Sequence, residues 1–101
     1  MRTAISRAYY FVYHLALARA ETNHYKPKTR DSVHKQLWDH YEKSLNPKCI
    51  ELAVTGRRMK RLRSNADYDD DFPRVNDAVT SILSDCQQCE SKLTALPAGV
   101  P

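Results

Sequence analysis

From Ala8 to Ala18 every position is apolar or aromatic except His14, and no Gly or Pro interrupts the stretch from Arg2 to Glu21. A helix this evenly apolar is buried on most sides, so the pattern predicts a first helix at the centre of the fold. Asn23 to Arg30 is polar, contains Pro27 and reads as the first connection. A second helix is expected to start with Asp31 or Ser32 as N-cap and to place His34, Leu37, Trp38, Tyr41 and Leu45 on one face. Asn46-Pro47 then marks a stop and a new start, because Asn caps well and Pro suits the first helical position.

The third helix is expected from Pro47 to about Ser64, with Cys49, Leu52, Gly56, Met59 and Arg63 along one stripe. Arg63 therefore points the same way as the core. The acidic stretch from Asp67 to Asp71 cannot continue a buried stripe, and Pro73 stands where a fourth helix can begin. Val75, Val79, Ile82, Cys86, Cys89 and Leu93 step alternately by four and three residues, the seam of a packed helix. These elements predict an all-α protein, an antiparallel up-down four-helix bundle over residues 1–95, followed by a disordered tail at 96–101.

Composition narrows the picture. With 42% hydrophobic and 28% charged residues the chain is globular, and its two glycines, without any Asn-Gly or Asp-Gly pair, exclude β-hairpins and Gly-rich phosphate loops. Three cysteines do not make a disulfide framework. His14 and Arg19 break the apolar run of the first helix, which is too short to span a bilayer. Without a secretory cleavage pattern, a cytoplasmic location is expected.

Sixteen Lys and Arg against twelve Asp and Glu give a net charge of +4, which permits polyanion binding. Arg57, Arg58, Lys60, Arg61 and Arg63 concentrate that charge in seven positions and can contact several phosphates. The same cations can instead complement a helix C-terminus. Cys86 and Cys89 have a metal-ligand spacing but fall on the apolar seam with no second pair, so neither metal nor cofactor is expected.

Ser6-Arg7-Ala8-Tyr9-Tyr10-Phe11-Val12-Tyr13-His14, followed downstream by Arg63-Ser64-Asn65-Ala66-Asp67-Tyr68, resembles the HEPN family of helical-bundle proteins of prokaryotic toxin–antitoxin, nucleotidyltransferase-linked and phage-defence systems. His34-Lys35-Gln36-Leu37 looks like the second helix of that family. The resemblance runs from Arg2 to Leu93 and implies an RNA- or nucleotide-binding homodimer. Its partner would be a cognate antitoxin or a minimal nucleotidyltransferase. Relatives usually carry a segment ahead of this first helix.

Ribonucleases of the family resemble one another in an Arg, often followed by Asn, and a His with four to six residues between. Arg63 matches the Arg, whereas Asp67 and Tyr68 stand where His is wanted, which puts catalysis in doubt. If the chain is a metal-independent endoribonuclease, Arg63 would stabilise phosphate charge while His14 or His34 moves protons. Arg7 lies on one line of the first helix with His14, and Tyr10 and Phe11 fall between them on that side. In an apolar helix Arg7 needs an acid, for which Asp67 is the candidate. Arg7, Tyr10, Asp67 and Tyr68 then form either a structural brace or a cleft for a nucleotide.

Overall fold

The computed structural model describes residues 2–28, 32–68, 75–97 and 99–101, and within them all side chains but those of 2–3, 65–68 and 75–79. Among the described residues there are four helices: α1 (Arg2–Thr22), α2 (Val33–Lys43), α3 (Pro47–Tyr68) and α4 (Val75–Ala95). Among the described residues there is no strand.

Each boundary has a local cause. α1 ends in a Schellman motif: His24 takes a left-handed φ of 69°, its N–H donates to Glu21 O at 3.0 Å, and Tyr25 N–H reaches Ala20 O at 3.1 Å. That reversal turns Tyr25 back onto the bundle. α2 follows Ser32, which is also left-handed and makes no side-chain cap; its carbonyl accepts the Gln36 N–H instead. Asn46 caps α3 as its sequence suggests, with its side-chain oxygen accepting the Lys48 N–H at 2.9 Å and Pro47 opening the helix.

The core is one cluster in which Ile5, Tyr9, Val12 and Ala16 of α1 meet Leu37, Trp38 and Tyr41 of α2, Cys49, Leu52 and Met59 of α3, and Ile82, Cys89 and Leu93 of α4. Trp38 lies flat on Gly56, where an added Cβ would come within 2.6 Å of the indole ring. No other residue fits that position without displacing the ring. Tyr41 donates its hydroxyl proton to the carbonyl of Ala16 at 2.6 Å, so this buried phenol is satisfied by α1 backbone.

Side-chain pairings fix the directions of the helices. Glu51 meets Lys92 and Arg58 meets Asp85, so α3 and α4 run opposite ways. His34 senses the charges of Lys60 and Arg63 while Trp38 covers Gly56, so α2 and α3 are also opposed. Arg19, near the end of α1, bonds the carbonyls of Leu96, Pro97 and Val100 at the end of α4, so these two helices run the same way. α2 also runs with α1, because His34 lies against Tyr13 and Tyr41 against Ala16.

The expected up-down-up-down alternation is therefore corrected: α3 alone opposes the other three. The connection between α1 and α2 is the reason. Its described residues, 23–28, double back beside α2, with Tyr25 against His40 and the Lys28 N–H on Gln36.

Other expectations are corrected too. α3 continues to Tyr68, so Asp67 lies in the helix and not in a turn. Leu45 falls outside α2, left-handed and 79% exposed, instead of on the buried face. Beyond α4, Leu96 is buried, and the Arg19 guanidinium donates to the carbonyls of Leu96, Pro97 and Val100. No helix is long and apolar enough to cross a membrane among the described residues.

Candidate functional site

Three helices converge on the ring of Tyr10. The Arg63 guanidinium of α3 lies over its face at 4.9 Å, a cation–π contact. The His34 ring of α2 meets its edge with centroids 6.0 Å apart, and His14, one turn further along α1, stacks at 6.2 Å. Arg63, His34 and His14 are thus brought to one place from residues scattered through the sequence.

Tyr9 and Tyr13 hold His34 in its orientation. Tyr13 stacks on the imidazole at 4.0 Å. The Tyr9 hydroxyl accepts the indole N–H of Trp38 at 3.3 Å and lies 2.6 Å from His34 Nδ1. A buried hydroxyl that accepts from Trp38 has its own proton to give, so the network assigns Tyr9 as donor and Nδ1 as acceptor. The neutral imidazole then carries its proton on Nε2.

Electrostatics keeps the ring neutral. Burial pushes the His34 pKa below its ordinary value, and the neighbouring Lys60, Arg63 and His14 push the same way. Burial also raises the Tyr9 phenol to about 12, outweighing the opposing Trp38 hydrogen bond, so it stays protonated. His34 is therefore a fixed neutral donor, while His14 is solvent-exposed.

Other sequence candidates are placed differently. Arg7 is exposed on the same α1 stripe as Phe11, His14 and Ala18, so its charge is solvated and needs no buried acid. The side chains of Asp67 and Tyr68 lie outside the described residues. Arg57 is bonded to Asp39 at 2.6 Å and Glu42 at 2.7 Å, and Arg58 reaches both oxygens of the buried Asp85 carboxylate. The basic run therefore divides round the helix. Arg57 and Arg58 tie α3 to α2 and α4, Arg61 faces solvent, and Lys60 and Arg63 are part-buried near His34.

Cys86 and Cys89 are free thiols, and burial raises Cys89 to about 12, so it is a poor thiolate. Among the described residues no three His, Cys, Asp or Glu groups come together as a metal site would require.

Sequence reasoning missed Tyr9, Tyr13 and Trp38 as the residues that orient His34. Tyr9 and Tyr13 are one helical turn apart, a spacing suited to gripping a ring, but nothing in the sequence says which ring. Comparison with protein-family models, curated proteins and solved structures gave no match.

Proposed function

We propose that this chain is a HEPN-like RNA- or nucleotide-binding protein of a prokaryotic toxin–antitoxin or phage-defence system, acting in the cytoplasm as a homodimer. The observation that supports it is the meeting of Arg63, His34 and His14 around Tyr10. A guanidinium offers charge-assisted hydrogen bonds to phosphate oxygens, and a neutral imidazole with its proton on Nε2 adds a further donor. Lys60 adds positive charge nearby.

The same groups suit metal-independent RNA cleavage with divided roles. His14 would take the 2′-hydroxyl proton, the 2′-oxygen would bond to phosphorus, and the bond to the 5′-oxygen would break. Arg63 and His34 would stabilise the charge gathering on the phosphate. A second imidazolium, supplied by the dimer, would protonate the departing oxygen. His34 is not suited to the base role, since its Nδ1 already accepts from Tyr9.

The test is to incubate the pure chain with total cellular RNA and a chelator, beside Arg63→Ala and His14→Ala. Fragments ending in 2′,3′-cyclic phosphate, lost in both variants without a change in melting temperature, are the expected result. Absence of both cleavage and salt-sensitive RNA binding would refute the proposal.

A second reading, a non-catalytic subunit docking on a partner such as a minimal nucleotidyltransferase, is favoured by the exposed stripe of α1. Phe11 is 46% exposed there between Arg7 and His14. Under that reading Phe11→Asp abolishes co-purification with the partner and leaves RNA binding intact.

A further inference from the structure

α4 carries two seams. On the core seam Ile82, Cys89 and Leu93 are buried. On the other side of the helix Ser81, Ser84, Gln88, Ser91 and Ala95 step by three, four, three and four residues, and all of them are exposed. Those steps put them on one line down the helix, as in a helix that packs against another. The line is also uncharged. Glu90, which lies off it, is the one charged side chain among the exposed positions described on α4, whereas Lys35, Glu42, Lys43, Lys48, Arg58 and Arg61 stand exposed on α2 and α3. Depletion of charge marks the core of a protein interface, and an ordinary solvated helix face shows the opposite.

The neighbouring helix extends the patch. Two ion pairs join α3 to α4, Glu51 with Lys92 at 3.1 Å and Arg58 with Asp85 at 2.7 Å. Val54 lies between Glu51 and Arg58, and Gln88 lies between Asp85 and Lys92, so the two residues stand at the same level of the bundle. Val54 is 56% exposed there. The charges that border the patch are thus neutralised in pairs within the chain, and an apolar side chain lies beside the centre of the uncharged line.

We propose that this face of α4 binds a second copy of the chain, the two α4 helices packing antiparallel about a two-fold axis at Gln88. The line is close to palindromic about that residue: Ser84 of one copy meets Ser91 of the other, and Ser81 meets Ala95. Small side chains on either side of the axis let the two backbones approach. Each Gln88 carboxamide both donates and accepts, so it can pair with its own symmetry mate, and a polar group at one core position fixes the register. Charge chooses the occupant. A strongly acidic or basic partner finds no counter-charge on the line, and an apolar helix would leave the carboxamide unsatisfied. Two copies that each carry a net charge of +4 repel across their cationic faces and least across this one. The line faces away from Tyr10, where α1, α2 and α3 meet, so this contact is additional to any pairing that shares that cleft.

The test is sedimentation of the full chain from about 5 µM to about 500 µM, the range of a weak helix-mediated association. Assembly beyond a single copy is expected in the unaltered chain. Gln88→Lys alone and Gln88→Glu alone each set like charges against each other on the axis, and each should weaken that assembly by about tenfold or more. An equal mixture of the two variants should restore it, because each lysine then meets a glutamate. Both variants replace an exposed side chain, so their melting temperatures at low concentration should match that of the unaltered chain. Glu90→Lys, off the line, should leave assembly as it was. Arg63→Ala should do the same, which separates this contact from the RNA proposal. A chain that stays a single copy throughout, assembly that the Gln88 variants leave unchanged, or no recovery on mixing them would overturn the proposal.

Discussion

His34 and His40 stand six residues apart on α2, and both have pKa values lowered chiefly by burial, yet their surroundings differ in kind. His34 is stacked on Tyr13 and bonded to Tyr9, which is bonded in turn to Trp38. His40 packs tilted against Tyr25, and its Nε2 is buried without a partner. The inner histidine is oriented by hydrogen bonding within the protein, whereas the outer one has a buried ring nitrogen that the protein leaves unsatisfied. Burial alone thus does not identify a functional histidine; the satisfaction of its second nitrogen tells more.

The comparison is broken most severely at Trp38, which packs on Gly56 and supplies the N–H that orders Tyr9 and His34. Trp38→Ala is expected to cost roughly 3–5 kcal/mol, most of the stability of a domain this size, and to unfold the chain near physiological temperature in a calorimetric scan.

Tyr9→Phe should cost less, about 1–3 kcal/mol, because it leaves the buried Trp38 N–H and His34 Nδ1 without their partner. It also releases the His34 tautomer, which nitrogen NMR detects as a change in the Nδ1 and Nε2 shifts while the His40 signals stay in place. Unchanged His34 shifts in this variant would show that the Tyr9 hydrogen bond does not set the proton.

Acid should sharpen the likeness between the two rings. Each is harder to protonate folded than unfolded, so just below the ordinary value of 6.5 the unfolded chain binds more protons. Stability is complete above 6.5 and falls as the pH drops through it towards the depressed folded values. Melting temperatures measured from pH 7.5 downwards should decline, and His34→Gln or His40→Gln should flatten the decline. A flat profile in the unaltered chain would contradict burial as the dominant cause.

The smallest effect is expected at Lys35, whose pair with Asp39 is a one-turn contact with the lysine 71% exposed. Lys35→Ala should change stability by no more than about 0.5 kcal/mol in chemical denaturation.

What the sequence made legible was governed by local rules. The apolar run of α1, the Asn46-Pro47 break and the later part of the α4 seam all follow from periodicity and capping, and the structure has them. The direction of α2 was not legible, because it depends on how the connection after α1 doubles back, and the His24 reversal that begins this has no Gly to mark it. Arg19 stood out in the sequence only as a break in the apolar run, although the reasoning applied to Arg7 suits it better. A cation in the last turn of an apolar helix needs acceptors, and the carbonyls of the final segment supply them.

At the candidate site, Arg63 stood out because it continued an apolar stripe, and His14 because it interrupted one. Their meeting with His34 at Tyr10 is tertiary and has no signature in the spacing. The contact of Tyr25 with His40 was invisible for the same reason, since one ring comes from the connection and the other from α2.

The central claim is that Arg63, held over Tyr10 beside two histidines, contacts phosphate. Its most direct test is fluorescence anisotropy with a short single-stranded RNA between about 50 and about 300 mM salt, for the unaltered chain and for Arg63→Ala. The claim requires affinity that falls steeply with salt, and in the variant weaker binding with a salt slope shallower by about one. Binding that ignores salt, or a slope unchanged in a folded Arg63→Ala, would contradict it.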